Sequence, residues 1–387
     1  MSASAPTIAA PPPQDIPTPA LLLDRARFER NVRRMRERLA RLGVRLRPHL
    51  KTAKSIEVAR RAMETAAGPG TVSTLREAEY FAANGVRDLI YAVGIAPGKL
   101  DAVGAIRAAH GADVAVVLDS VEQAEAVSAW SAANGQALPA FVEIDSDGHR
   151  SGVAPGDTEL LLGIGRVLDG GAADLRGVLT HAGGSYALHR PDDLRAAAEA
   201  ERHAAVACAR TLRTAGLPCP VVSVGSTPTA TFAADLDGVT EVRAGVFMFG
   251  DLVQAGIGSC TEDDIALSVL ATVIGHQRAK GWLIVDAGWM ALSRDRGTGR
   301  QALDQGYGRV CDATGRPYPD LVVLDANQEH GIVGVRPGSG AALPPLPLGA
   351  RVRILPNHAC ATAAQFDRYR VLDGDAAVAE WPRINGW

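Results

Sequence analysis

The chain lacks the features that would tie it to a membrane, a nucleic acid or an oxidising compartment. No apolar run reaches the roughly 18 residues of a transmembrane helix, which argues against a spanning segment. Charge of one sign is also missing. Lys and Arg total 40 against 43 Asp and Glu, a net charge of −3, so no electrostatic case exists for nucleic acid or a membrane surface. Cysteines are few, odd in number and scattered, at 208, 219, 260, 311 and 360. That pattern points to a reducing cytoplasm and away from a disulfide framework. The start of the chain, through Pro11-Pro12-Pro13, has neither the basic residues nor the apolar segment of a secretory signal. Residues 1–17 therefore read as a flexible lead-in. Internal repeats and charge blocks are absent.

What is present is a length of 387 residues and an ordinary composition, enough for a large core and two domains. Short β-rich runs at 20–23, 44–48, 70–72, 88–92, 114–118, 140–144, 175–180, 220–223 and 241–244 alternate with Ala-rich helical patterns. This predicts parallel strands with covering helices. Eight or nine such units in about 245 residues suit a closed (β/α)8 barrel over 18–265 better than an open sheet. From 266 to 387, strand patterns follow one another through Gly/Pro loops with no helices between, which predicts a mainly β second domain. The fold class is thus α/β.

Lys51 lies in Arg47-Pro48-His49-Leu50-Lys51-Thr52, where the second strand pattern ends. Side chains at that end of a barrel strand face the catalytic mouth. A lysine held there, partly desolvated, acquires a lowered pKa and can form an imine with an aldehyde. His49 beside it is a second catalytic candidate. Four further stretches follow strands. Arg150, in Asp145–Gly152, can donate to a phenolate oxygen. His181, in His181-Ala182-Gly183-Gly184-Ser185-Tyr186, can stack on a planar ring, with glycines that admit close approach of a ligand. Gly225-Ser226-Thr227 offers backbone N–H and hydroxyl donors for a phosphate. Gly245 and Val246 add two more amides, and Arg243 points inward. Taken singly, each has a plainer reading: a solvated lysine, a surface ion pair, a structural histidine, a Gly/Ser turn. Together they describe a site for pyridoxal 5′-phosphate.

In the second domain, His358 and Cys360 stand two residues apart in Leu355–Thr362. On an extended segment they would point to one side, and imidazole plus thiolate suits Zn²⁺, with Mg²⁺ or Mn²⁺ as other divalent candidates. A buried thiol beside a structural histidine is the plain alternative. Asn327–Gly331 is a polar loop that can present Glu329 and His330, and His330 is a third catalytic candidate.

These stretches resemble the fold-type III pyridoxal phosphate enzymes, which include alanine racemase, from Thr18 to the C-terminus. Within them the chain is most similar to the group of D-serine dehydratase and D-threonine aldolase. The resemblance implies that Lys51 carries the cofactor, surrounded by Arg150, His181, Tyr186, Gly225, Ser226, Thr227, Gly245 and Val246, with Arg243 facing the ring nitrogen. It implies a metal at His358 and Cys360, and a homodimer. Gly225-Ser226-Thr227-Pro228 and the His-x-Cys pair are similar to the dehydratases, whereas aldolases show a Gly-Gly-Gly-Thr-Gly run and His-x-Asp. The loop His181–Gly184 differs from the family's most familiar version. The expected activity is therefore dehydration of a D-3-hydroxyamino acid to a 2-oxo acid and ammonia. Retro-aldol cleavage to glycine and an aldehyde is the alternative, and a non-catalytic cofactor-binding protein is a further one.

Overall fold

From Arg45 to Ala244, short strands and covering helices take strict turns along the chain. The computed structural model describes residues 15–374 and 376–387. It opens with β1 (Ala20–Asp24) and α1 (Arg25–Arg41), then runs β2 (Arg45–Pro48), α2 (Ile56–Ala62), β3 (Gly70–Val72), α3 (Leu75–Ala83), β4 (Asp88–Gly94), α4 (Leu100–His110), β5 (Asp113–Leu118) and α5 (Val121–Asn134). There follow β6 (Pro139–Ile144), α6 (Thr158–Asp169), β7 (Asp174–Thr180), α7 (Pro191–Thr214), β8 (Val221–Val224), α8 (Thr227–Phe232), β9 (Glu241–Ala244) and α9 (Leu252–Ile257). The chain divides into two compact units. One is Arg33–Gly245 with Gly386–Trp387; the other joins the described residues up to Val32 with Val246–Asn385.

In the first unit β2 to β9 form an eight-stranded sheet in the order β2-β9-β8-β7-β6-β5-β4-β3, with every ladder parallel. A helix between successive strands carries the chain back to the starting edge, which forces that polarity. A bridge between His49 and Thr71 joins the two ends and closes the barrel. The runs are apolar because the strands are covered on both faces, as in Val114 to Leu118, all buried. Ile90, Ala115, Val117, Phe141 and Leu179 pack together in one core cluster. Each large member contributes about 1.5–3 kcal/mol by leaving water. Polar caps start the helices on schedule: Thr74 accepts from the Glu77 amide, Ser120 from Gln123 and Asp157 from Leu160.

The second unit contains β10 (Leu267–Gln277), β11 (Trp282–Val285), α10 (Trp289–Leu292), β12 (Arg309–Cys311), β13 (Pro317–Ala326), β14 (Gly331–Val335), β15 (Arg351–Leu355), α11 (Ala359–Ala363), β16 (Arg368–Asp373) and β17 (Ala376–Pro382). Nine strands line up as β11-β14-β13-β12-β15-β10-β1-β16-β17, antiparallel except for β1 against β16.

Three expectations change here. The run 20–23, expected as the first barrel strand, is β1 of this sheet, with Leu21 opposite Val269 and Leu23 opposite Val371. Its side chains are apolar toward both faces, so its pattern does not say which sheet it joins. Of the lead-in expected at 1–17, residues 1–14 lie outside those described. Ile16 is fully buried against Ala20, Leu22, Leu270 and Leu372, and its carbonyl accepts from Arg351 Nη1 at 2.9 Å. Residues 246–265, expected in the barrel domain, belong to this unit, where Leu252 and Ile265 pack with Cys311 and Leu355. No helix among the described residues is long and apolar enough to cross a membrane.

Candidate active site

In the first unit the candidate residues gather at the C-terminal ends of the barrel strands. Lys51 follows β2 in the short turn Leu50–Thr52 and is exposed, not partly desolvated as expected. Gly245 lies close against this turn. A Cβ there would lie 2.7 Å from Thr52 Oγ1 and 3.0 Å from the His49 carbonyl. The glycine lets the end of β9 lie directly against the lysine turn. His49 has Nε2 3.4 Å from Ser73 Oγ, and its buried Nδ1 has no partner. Burial first, then the charges of Lys51 and Arg243, hold its pKa well below the ordinary histidine value, so the ring is neutral.

Arg243 does point inward: it is buried and donates to Ser223 Oγ at 2.8 Å and to the Thr180 carbonyl at 2.5 Å. Burial draws its pKa down to about 10, against the pull of Glu241 and Glu201, so it stays charged at neutral pH. His181 Nδ1 lies 2.9 Å from the Gly225 carbonyl, and its ring centroid is 6.4 Å from that of Tyr186. The His181 pKa falls to about 4, chiefly by burial. Arg150 pairs with Glu143 at 3.1 Å and keeps its side chain 56% exposed.

The phosphate turn differs from expectation. Gly225 N–H donates to Glu201 Oε1 at 3.1 Å, and Ser226 N–H donates to Thr229 Oγ1 at 2.9 Å within a capping box that starts α8. Neither amide is a spare donor. Thr227, which opens α8, is buried. Gly183, expected to admit a ligand, is instead crowded by its neighbour: a Cβ would meet His149 Cδ2 at 2.5 Å. The chemistry of the group fits pyridoxal phosphate. It combines an accessible amine, a fixed cation in Arg243, two adjacent rings, hydroxyls, and a buried imidazole nitrogen still lacking a partner.

In the second unit, Val246 closes a turn through its carbonyl, which accepts from Gly250 N–H at 2.8 Å. His330 lies exposed between β13 and β14, its carbonyl accepting from Asn327 N–H at 2.8 Å. His358 and Cys360 are not on an extended segment. His358 is the N-cap of α11 and Cys360 sits in its first turn, yet the two side chains still hydrogen-bond one another. Asp295 Oδ2 lies 2.6 Å from His358 Nδ1. Asp251, fully buried, accepts Ala359 N–H at 2.9 Å and Gln254 N–H at 2.8 Å. Among the described residues no group of three or more His, Cys, Asp or Glu is arranged to hold a metal. A two-ligand site of imidazole and thiolate fits a divalent metal that keeps positions open for substrate or water.

Glu201, Glu241, Asp251 and Asp295 were missed from sequence. Glu201 had a signal. It falls on the buried face of α7 with Leu194, Ala198, Ala205 and Cys208, where a carboxylate calls for buried partners. Asp295 had none, since it meets His358 across 63 residues of chain.

Residues 23–253 match the family described as alanine racemase, N-terminal domain, and residues 266–372 match one described as putative serine dehydratase domain. The D-threo-3-hydroxyaspartate dehydratase of Delftia sp. (strain HT23) is 56% identical over 374 residues, 96% of this chain and 98% of that protein. Its solved structure superposes with a TM-score of 0.94 at 54% identity, covering 97% of this chain and 100% of that one. A cysteine-to-alanine mutant of a D-threo-3-hydroxyaspartate dehydratase, solved in a metal-free form, also superposes with a TM-score of 0.94. The D-threonine aldolase of Arthrobacter sp is 32% identical over 367 residues, 91% of this chain and 89% of that protein. The chain belongs to the fold-type III pyridoxal phosphate enzymes with an alanine racemase-like barrel, in their D-serine dehydratase and D-threonine aldolase branch.

Proposed function

We propose that the protein is a pyridoxal phosphate- and metal-dependent dehydratase of D-3-hydroxyamino acids, with D-threo-3-hydroxyaspartate the first substrate to test. The observation that carries the reading is Lys51, whose amine is exposed at the end of β2 within the ring of residues described above. The Gly225-Ser226-Thr227-Pro228 and His-x-Cys motifs favour dehydration over retro-aldol cleavage.

When bound, the cofactor supplies an electron sink for the substrate α-carbon, and the metal a Lewis acid for the departing β-hydroxyl. Lys51 Nζ is the group that would hold the aldehyde, and its amine would serve as the base for the α-proton. Arg243, charged at neutral pH, is the group that would face the ring nitrogen and leave it unprotonated. His181 and Tyr186 would stack on or orient the ring, Arg150 would donate to its phenolate, and Thr227, Gly245 and Val246 would serve the phosphate, with Ser226 shaping that turn through its capping box. His49 is neutral, its buried Nδ1 suited to hold a proton, and His330 is the remaining acid–base candidate. His358 and Cys360 would hold the metal, with Zn²⁺ the first choice. The working form is proposed to be a cytoplasmic homodimer.

The test is the visible spectrum and product analysis of the purified protein on a panel of D-3-hydroxyamino acids, with and without chelator. Ammonia plus a 2-oxo acid, lost on chelation, is the expected result. Glycine plus an aldehyde assigns retro-aldol cleavage instead. Lys51→Ala should lose both the cofactor's visible band and turnover. An unlabelled Lys51 after borohydride reduction and peptide mapping refutes the assignment.

A further inference from the structure

We propose that Asp295 is a positioning residue that fixes the tautomer and orientation of His358 for metal binding; this rests on the metal reading above. Asp295 Oδ2 is 2.6 Å from His358 Nδ1, so Nδ1 carries the proton and donates it to the carboxylate. Nε2 is then the nitrogen whose lone pair can reach a metal alongside Cys360. A neutral imidazole binds a metal through one nitrogen only, and the group on the other nitrogen decides which.

The carboxylate is itself held in place. It accepts the Gly297 N–H, and the Asp295 N–H donates to Ser293 Oγ at 3.0 Å. Asn357, the residue before His358, is fastened in turn by a donation from Nδ2 to the Gly306 carbonyl at 2.6 Å. These bonds leave Asp295 directed at His358 and make it an orienting group, not a third ligand. Asp251 binds the amide of Ala359, the residue between the two ligands, at 2.9 Å. The imidazole is thus gripped at its ring by Asp295, and the backbone of the pair by Asp251.

The experiment is zinc titration, by calorimetry, of the metal-stripped full-length protein loaded with its cofactor. Wild type, Asp295→Ala, Asp295→Asn and His358→Ala are compared after circular dichroism confirms each fold. Asp295→Ala should weaken zinc binding about 10- to 100-fold. Asp295→Asn keeps an acceptor for Nδ1–H and should recover part of that loss. Histidine-selective ¹⁵N NMR of the zinc-loaded wild type, with the His358 signal identified by its loss in His358→Ala, should show the proton on Nδ1. Wild-type zinc affinity in both Asp295 variants, or a proton on Nε2 in the zinc-loaded wild type, overturns the proposal. Equal zinc binding by wild type and His358→Ala removes the metal site itself and this inference with it, a result distinct from failure at Asp295 alone.

Discussion

The Arg243 guanidinium donates to Ser223 Oγ at 2.8 Å, and that hydroxyl donates onward to Glu241 Oε1 at 2.7 Å. Glu241 also receives Arg47 Nε at 2.8 Å, and Arg47 reaches Asp88 at 2.6 Å. The cation expected at the ring nitrogen is therefore the inner end of a chain of charges that spans β9, β8, β2 and β4 and ends at the half-exposed Asp88. Ser223→Ala breaks the link while Glu241 keeps Arg47. The loss of a buried, charge-assisted bond should cost about 1.5–3 kcal/mol in urea unfolding. An unchanged midpoint would show that the serine does not connect the two.

Gly245→Ala should disturb cofactor binding more than overall stability. The added methyl would sit 2.7 Å from Thr52 Oγ1 and 3.0 Å from the His49 carbonyl, and the lysine turn is the part that must yield. The expected destabilisation is about 1–3 kcal/mol, with a clear rise in the Kd for pyridoxal phosphate measured by absorbance. Gly225→Ala should be worse, because φ there is +132° and the methyl would lie 2.2 Å from the Arg243 carbonyl.

Glu201 accepts the amides of Ala182 at 2.9 Å and Gly225 at 3.1 Å, which joins the His181 loop to the phosphate turn. Glu201→Ala leaves two buried amides without an acceptor and should cost about 2–5 kcal/mol. Burial raises the Glu201 pKa above its ordinary value, so ionised Glu201 subtracts stability progressively as pH rises from the usual carboxylate range toward its folded pKa. Glu201→Gln keeps one acceptor oxygen and removes that penalty. Its stability relative to wild type should improve from pH 4 to pH 7; a constant difference across that range would contradict the argument.

His181 has the opposite sign. Its folded pKa of about 4 lies below the ordinary histidine value of 6.5, so the unfolded chain takes up the proton first. Its stabilising contribution is complete above pH 6.5 and is lost as pH falls toward 4, by at most about 3 kcal/mol and less in proportion to the ring's partial exposure. Lys51, Arg243 and Arg150 add to the depression, and the Gly225 carbonyl opposes it. Thermal unfolding of the cofactor-free protein at pH 7 and pH 5 should show a smaller drop for His181→Asn than for wild type.

Most of the barrel was legible because its signal is local: apolar runs of strand length, polar caps, and a helix pattern between each pair. The lysine turn was legible for the same reason, since Arg47 through Thr52 are contiguous. His358 and Cys360 were found together, but their local structure was not. Spacing of two residues suits an extended strand, whereas here the N-cap geometry of α11 brings the side chains together. Ser226 was read as a ligand donor, yet its amide and hydroxyl are used to start α8.

Sequence alone determined the alternation of strands and helices, the placement of Lys51 just after β2 and the pairing of His358 with Cys360 as candidates, because each depends on neighbours within a few residues. Only the tertiary structure decided that β1 leaves the barrel for the β sheet, that Glu201 binds the amides of Ala182 and Gly225, and that Asp295 lies against the His358 ring. Those outcomes depend on which buried polar atoms and which apolar faces meet across long stretches of chain. Local periodicity carries no record of such partners.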